Sequence, residues 1–267
     1  MRQYSLLILT VILLGCDMQA TREEADIFFQ DGNYEAAVAA YNRVIKIDTD
    51  DNYAIFNRAR ANENLENYLE AYDDYNKLVL LKWNSRKSMI GRARCNFELE
   101  NYTAVIGDMT AVLDGDEDNL DALLLRGKAY TKEGKNQDAI FDLSIVIREE
   151  PDNVEALISR GAAYARGGLG PMGIEDFDRA IQIQPELAVA YFNKAMVFFV
   201  YEHYSAAIES FDIAIEKNEE YGEAYTRRGM AKMSYRGYSK EDACADFELG
   251  EEFDDPLASD YIKEYCK

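Results

Sequence analysis

The chain has 267 residues, with 50 acidic against 29 basic side chains and a single histidine, for a formal net charge of −21. So acidic a body repels phosphate backbones and anionic headgroups, which excludes nucleic-acid binding and electrostatic adhesion to a lipid surface as its main work. With His203 as the only histidine a zinc-type histidine pair is excluded, and its place between Glu202 and Tyr204 reads as a solvated turn residue.

The first residues stand apart from everything after them. Met1-Arg2 supplies one positive charge and Leu6 to Leu14 is almost wholly apolar, but the run falls far short of the ~20 residues a spanning helix needs. The pattern predicts a signal peptide over residues 1–15. Its ending, Leu13-Leu14-Gly15-Cys16, resembles a bacterial lipobox, which implies acylation of the Cys16 thiol and cleavage just before it. Acyl chains contribute ~0.8 kcal/mol per buried methylene, enough in combination to anchor a soluble domain. Residues 16–17 then form a lipid-anchored N-terminus on the periplasmic or outer side of a membrane in the bacterial envelope. Asp17 resembles the inner-membrane retention signal of enteric bacteria, but other lineages sort differently, so inner against outer membrane stays open. The alternative is an ordinary secretory leader in which Cys16 is incidental.

From Met18 onward a period of 34 residues takes over, with units starting at 18, 52, 86, 120, 154, 188 and 222. The eighth place of each unit is small: Ala25, Ala59, Ala93, Gly127, Gly161, Ala195 and Gly229. The twentieth place is small again in most units, and four residues later comes a large apolar side chain, Tyr41, Tyr75, Met109, Leu143, Phe177 or Phe211. Two antiparallel helices approach closely where one presents Ala or Gly, and the bulky residue fills the space beside it. Turn residues such as Gly32-Asn33 and Gly134-Lys135-Asn136 fall within units, and Pro151 and Pro185 between them. This pattern of small, Tyr, Ala, aromatic and Pro resembles the tetratricopeptide repeat (TPR) family over nearly the whole chain after the leader. The resemblance implies an all-α right-handed TPR α-solenoid of six to seven helix-turn-helix repeats across residues 18–255. Residues 256–267 read as a capping helix, because a stack of repeats must end on an element that tolerates water.

Within this register several candidate sites resolve into structure. Asp48-x-Asp50-x-Asn52 and Asp114-x-Asp116-x-Asp118 have the alternation of calcium loops, but Tyr53 and Asn119 stand where the loop requires Gly. Helix N-capping explains them better. The seventh place carries Arg58, Arg92, Arg126 and Arg160, and Asp74, Asp108, Asp142 and Asp176 follow sixteen residues later, which predicts Arg–Asp pairs tying the two helices of each middle unit. The glycine-rich stretch Gly167 to Gly173 predicts either a hinge or an irregular turn in which Pro171 starts the next helix. Cys95 reads as a small buried apolar residue. Cys244 and Cys266 bracket the cap, and in an oxidising envelope a bridge there would close a loop of about 20 residues; the alternative is two thiols.

No phosphate-binding loop, dinucleotide fingerprint or nucleophile elbow is present, so no catalytic residue, metal ligand or cofactor is expected. The TPR resemblance implies a concave groove lined by the first helix of each unit. Carried over place by place, the N-terminal half of that groove has Asn57, Arg60, Lys87, Arg94, Lys128 and Lys132, a basic row in an acidic protein. The C-terminal half has Ile158, Phe192, Met196, Phe199, Met230 and Met233, an apolar row with adaptable methionines. The resemblance therefore implies a non-catalytic scaffold that takes a protein or peptide partner, with acidic segments matching the basic row. A self-associating homodimer is the alternative, and a cell-wall hydrolase a remote third.

Overall fold

The computed structural model describes residues 22–266. The expected signal peptide and Cys16 lie outside the described residues. Fifteen helices and no strands make up the described chain. By contact clustering it divides into two compact units at Ala129/Tyr130, inside one helix.

In the first unit the helices are α1 (22–30), α2 (Tyr34–Ile47), α3 (Asn52–Asn64), α4 (Tyr68–Leu80), α5 (Ser85–Glu98) and α6 (Tyr102–Leu113), followed by most of α7 (Leu120–Lys132). The second unit takes the end of α7 and continues with α8 (Asn136–Glu149), α9 (Val154–Arg166), α10 (Gly170–Ile183), α11 (Ala188–Val200), α12 (Tyr204–Lys217), α13 (Gly222–Ser234), α14 (Lys240–Glu252) and α15 (Ala258–Tyr265). Odd-numbered helices up to α13 open the repeats and even-numbered ones close them. Consecutive helices pack on one another from α2 to α6 in the first unit and from α8 to α15 in the second, and the opening helices of successive repeats also touch, α3 on α5 in the first unit, α9 on α11 and α11 on α13 in the second.

The alternation of small and large residues does the packing work. A Cβ placed on Gly161 would stand 2.6 Å from the Phe177 ring, and one on Gly229 would stand 2.7 Å from Phe247. Such separations forbid any side chain at these places. Tyr41, Tyr75, Phe177, Phe211 and Phe247 are fully buried beneath them.

Every turn within the first six repeats ends its opening helix in the same way. Gly32, Glu66, Glu100, Gly134, Gly168 and Glu202, all at the fifteenth place, have φ between 58° and 78°. In each case the next amide donates back to the carbonyl five residues earlier, as Asn67 does to Asn62 and His203 to Phe198, which makes these Schellman turns. Glycine suits that backbone and Glu does not, so three of the six turns carry strain. Three of the six turns between repeats are capped one residue before the next helix: Asp51, Asn119 and Asn153 accept from the amides of Ala54, Ala122 and Ala156. The acidic turn residues are thus local caps and turn formers, and among the described residues no cluster of His, Cys, Asp or Glu could hold a metal ion.

The glycine-rich stretch is a packed turn. Gly168 supplies the left-handed residue, α10 starts at Gly170 with Pro171 in its first turn, and the Tyr201 hydroxyl donates to the Gly168 carbonyl at 3.1 Å.

The expected Arg–Asp pairs take a richer form. Arg58, Arg92, Arg160 and Arg228 each grip the Asp of their own repeat, Asp74, Asp108, Asp176 and Asp246, through two bonds of 2.6 to 2.9 Å. Their remaining nitrogen reaches back to the preceding closing helix, at Asn42, Asn76, Ser144 and Asp212. Arg126 makes the same backward contact with Thr110, while Asp142 belongs to the other unit. One guanidinium therefore clamps three helices, which a fork with five donors can do and an ammonium cannot. Lys194 shows the limit: its single nitrogen goes back to Asp178 at 2.6 Å, and the forward position holds Ser210 in place of Asp.

At the C-terminus Cys244 and Cys266 are joined by a disulfide with Cα atoms 5.7 Å apart, closing α15 against α14. Among the described residues no helix is long and apolar enough to cross a membrane.

Candidate functional site

The opening helices present their ninth and twelfth places to one another across successive repeats, and the two units use these places differently. In the first unit the ninth place is cationic from the second repeat onward. The Arg60 guanidinium lies 4.6 Å from the centroid of Phe29, Arg94 makes a two-pronged ion pair with Glu63, and the Lys128 ammonium lies 4.5 Å from the centroid of Phe97. Phe29, Glu63 and Phe97 are the twelfth places of the preceding repeats, so a cation–ring or cation–carboxylate step recurs across each junction.

The surrounding groups tighten this arrangement. Glu63 also accepts from the Tyr75 hydroxyl at 2.9 Å, and burial followed by the Glu63 charge pushes the Tyr75 phenol well above its ordinary range. Asp26, the ninth place of the first repeat, accepts from both Tyr41 and Tyr53. Asn57 is buried, bonded to the Tyr53 carbonyl and to Arg60. Of the expected basic row, Asn57 is interior, Arg60 and Arg94 make these contacts while remaining exposed, and Lys128 is half-buried. Lys87 in this unit and Lys132 in the second are exposed.

In the second unit the ninth and twelfth places are apolar, apart from Thr131 at the end of α7. The ninth place reads Ala162, Met196 and Met230, the twelfth Ala165, Phe199 and Met233. Phe192 needs correction too. It is only 7% exposed and packs at 4.9 Å on Tyr221 and 5.7 Å on Phe211, because its place points into the seam between α11, α12 and α13. Ile158, Met196, Phe199 and Met230 are half-buried, while Val200 is 70% and Met233 40% exposed. Phe199 leans edge-on against Tyr204.

Sequence reasoning passed over Arg227 on α13. Its Nε is buried and has no hydrogen-bond partner, its Nη1 lies 3.7 Å from the Met230 sulfur, and its Nη2 reaches Glu223 only at 3.4 Å. The signal was present, because Arg227 occupies the sixth place, one of those the family uses to line its groove.

The comparisons with known proteins agree with this architecture. The family model described as TPR repeat matches residues 25–66, and the one described as tetratricopeptide repeat matches residues 124–188. No curated protein matches the chain in sequence. Among solved structures, a tetratricopeptide repeat protein from Parabacteroides merdae ATCC 43184 superposes with a TM-score of 0.77 at 17% identity, covering 94% of this chain and 99% of that one. The C-terminal part of a TPR repeat-containing protein from Cytophaga hutchinsonii gives 0.60 at 18% identity, covering 88% and 97%. YrrB, described as a TPR protein with an unusual peptide-binding site, gives 0.56 at 20% identity, covering 64% and 88%. With the 34-residue register running through both units, the chain carries tetratricopeptide repeats at residues 25–66 and 124–188 and has the fold of tetratricopeptide repeat proteins.

Proposed function

We propose that the chain is a non-catalytic scaffold that holds a partner protein or peptide on the face built by its opening helices, and that it is lipid-anchored through Cys16 in the bacterial envelope. The TPR fold supports the first part, since proteins of this fold are in general interaction scaffolds rather than enzymes. The observation that carries the choice of face is the unused apolar surface of the second unit, where Val200 and Met233 stay open to solvent beside half-buried Met196 and Met230. The sequence of the leader supports the anchor, and an envelope-assembly role accords with an acidic, anchored, non-enzymatic scaffold.

Two experiments test the two parts separately. Labelling cells with a radioactive fatty acid places label on the chain and removes it in Cys16→Ser, which partitions into the soluble fraction; label retained in that variant overturns the anchor. Crosslinking from intact cells recovers a partner whose yield falls on Val200→Asp; an unchanged yield moves binding off this face. The same apolar strip favours self-association as a second reading, and light scattering showing a stable dimer that Val200→Asp splits would establish it.

A further inference from the structure

We propose that a second copy of this chain docks its acidic C-terminal cap on the turn between α4 and α5, joining copies head to tail. The contact lies apart from the opening-helix face and does not rest on the scaffold reading above.

The turn stands out first by charge. In a chain with 50 acidic residues, 75–97 contain no Asp or Glu and carry six cations, Lys77, Lys82, Arg86, Lys87, Arg92 and Arg94. Four of these have work inside the unit: Arg92 holds Asp108, Arg94 holds Glu63, Arg86 reaches Asp116 at 2.9 Å, and Lys77 donates to the Thr49 carbonyl at 2.8 Å. Lys82 and Lys87 remain exposed. Beside them Leu81 is 52% and Leu80 74% exposed, the latter more than any other large apolar side chain among the described residues.

Local folding does not ask for this sequence. Among the turns between repeats this one alone holds residues at positive φ, Lys82 at 54° and Asn84 at 42°. A left-handed backbone costs a non-glycine residue ~1–2 kcal/mol, and Asn84 makes no side-chain cap bond to α5 in return. Strain kept in a turn of exposed leucines and lysines points to a use outside the fold.

The complementary surface is at the far end of the sequence. Residues 241–262 hold nine carboxylates and no Lys or Arg. Glu248, Glu252 and Asp254 are exposed, and Leu257 nearby is 40% exposed. The Cys244–Cys266 bridge and the stacking of Phe247 on Tyr261 at 5.2 Å fix this end, so docking orders little.

Shape selects a narrow occupant. The turns before and after this one expose Asp50, Glu117 and Asp118, which a broad anionic surface such as a bilayer would also meet and be repelled by. The end of the α14–α15 pair reaches the tip alone: Leu257 covers Leu80 and Leu81 while carboxylates face Lys82 and Lys87. Because turn and cap are different surfaces, the contact is heterologous, and copies add into rings or chains.

Sedimentation velocity on the full-length protein in a non-ionic detergent tests this. Wild type associates at about 0.02 M salt, increasingly with protein concentration, and dissociates at about 0.5 M, where exposed charges are screened. Lys82→Glu with Lys87→Glu, and separately Glu248→Lys with Glu252→Lys, each weaken association more than about tenfold, because like charges then face one another. Mixing the two variants restores it, since each supplies the surface the other has lost; circular dichroism confirms unchanged helix content. A monomer at low salt, association that survives either reversal, or a mixture that stays monomeric overturns the proposal. Association that survives both reversals and splits on Val200→Asp overturns it while placing self-association on the apolar strip of the second unit.

Discussion

The two units share one backbone pattern and spend their ninth place in opposite ways. In the first, Arg60, Arg94 and Lys128 lean on ring or carboxylate across each repeat junction; in the second, Ala162, Met196 and Met230 leave the junctions apolar. A row of cations in the sequence suggests a surface waiting for acid, yet these cations serve to join repeats. The availability of a charge depends on what stands at the twelfth place of the previous repeat. Arg227 in the second unit stands otherwise: it reaches Glu223 at 3.4 Å and the Met230 sulfur at 3.7 Å, and its Nε has no partner.

The largest expected effect sets the clamp chemistry of the two units side by side. Asp246 is 2% exposed and takes both Arg228 and Lys232, so Asp246→Ala strands the half-buried Lys232, leaves Arg228 only Asp212, and costs about 4 kcal/mol, near the usual cost of breaking a buried pair. In the first unit Asp74→Ala strands only Arg58, which is 24% exposed and keeps Asn42, so its cost is smaller, about 2 kcal/mol. Urea unfolding of both variants measures the contrast, and equal losses would show that the second cation on Asp246 adds nothing.

Next comes the covalent closure, which the second unit has and the described residues of the first lack. The bridge spans a separation of 22 residues, and opening it costs about 3 kcal/mol by loop-closure entropy. Calorimetry with and without reductant should show a lower melting temperature for reduced wild type and no reductant effect in Cys244→Ser.

How much of this the sequence carried depends on how each contact is encoded. The helix pairs, their small and large places and the forward half of the Arg–Asp clamp repeat as residue types, so spacing alone exposes them. The backward half does not, because Asn42, Asn76, Thr110, Ser144, Asp178 and Asp212 share only the ability to accept a hydrogen bond. The groove residues misled for a related reason: Phe29, Glu63 and Phe97 are chemically unlike, and their common role appears only when the helices are stacked. Asn57 and Phe192 stand at groove places, yet Asn57 bonds the Tyr53 carbonyl and Phe192 packs on Phe211 and Tyr221, so both are buried.

The first unit also holds the one cysteine outside the disulfide among the described residues, and its pH response separates the units further. Burial, then the Glu63 charge, pushes the Cys95 thiol up to about 12 from 9.0. The unfolded chain therefore loses this proton before the folded one does. Above pH ~9 the folded state binds more protons, so stability falls as pH rises toward 12, and below that range Cys95 contributes no pH dependence. Thiol labelling of native protein near pH 8 should proceed only through opening of α5. Fast labelling at the rate of a model thiol would mean that the α3–α4–α5 core is not closed.

The smallest effect tests the turns both units share. Gly134 and Gly168 occupy the left-handed place in the second unit without strain, whereas Glu66 and Glu100 hold it in the first at φ of 60° and 58°. Glu100→Gly relieves that strain, worth ~1 kcal/mol or slightly more for an L-residue, but gives back part of it through the greater freedom of glycine in the unfolded chain. A net gain of about 0.5 kcal/mol is expected, read as a higher urea midpoint at unchanged slope. The reverse change, Gly168→Glu, should lose more than Glu100→Gly gains, because Gly168 also lends its carbonyl to Tyr201 and a shifted turn would break that bond. Similar magnitudes for the two changes would mean that the Tyr201 contact is incidental and that the glycine-rich turn is no better anchored than the turns ending in Glu.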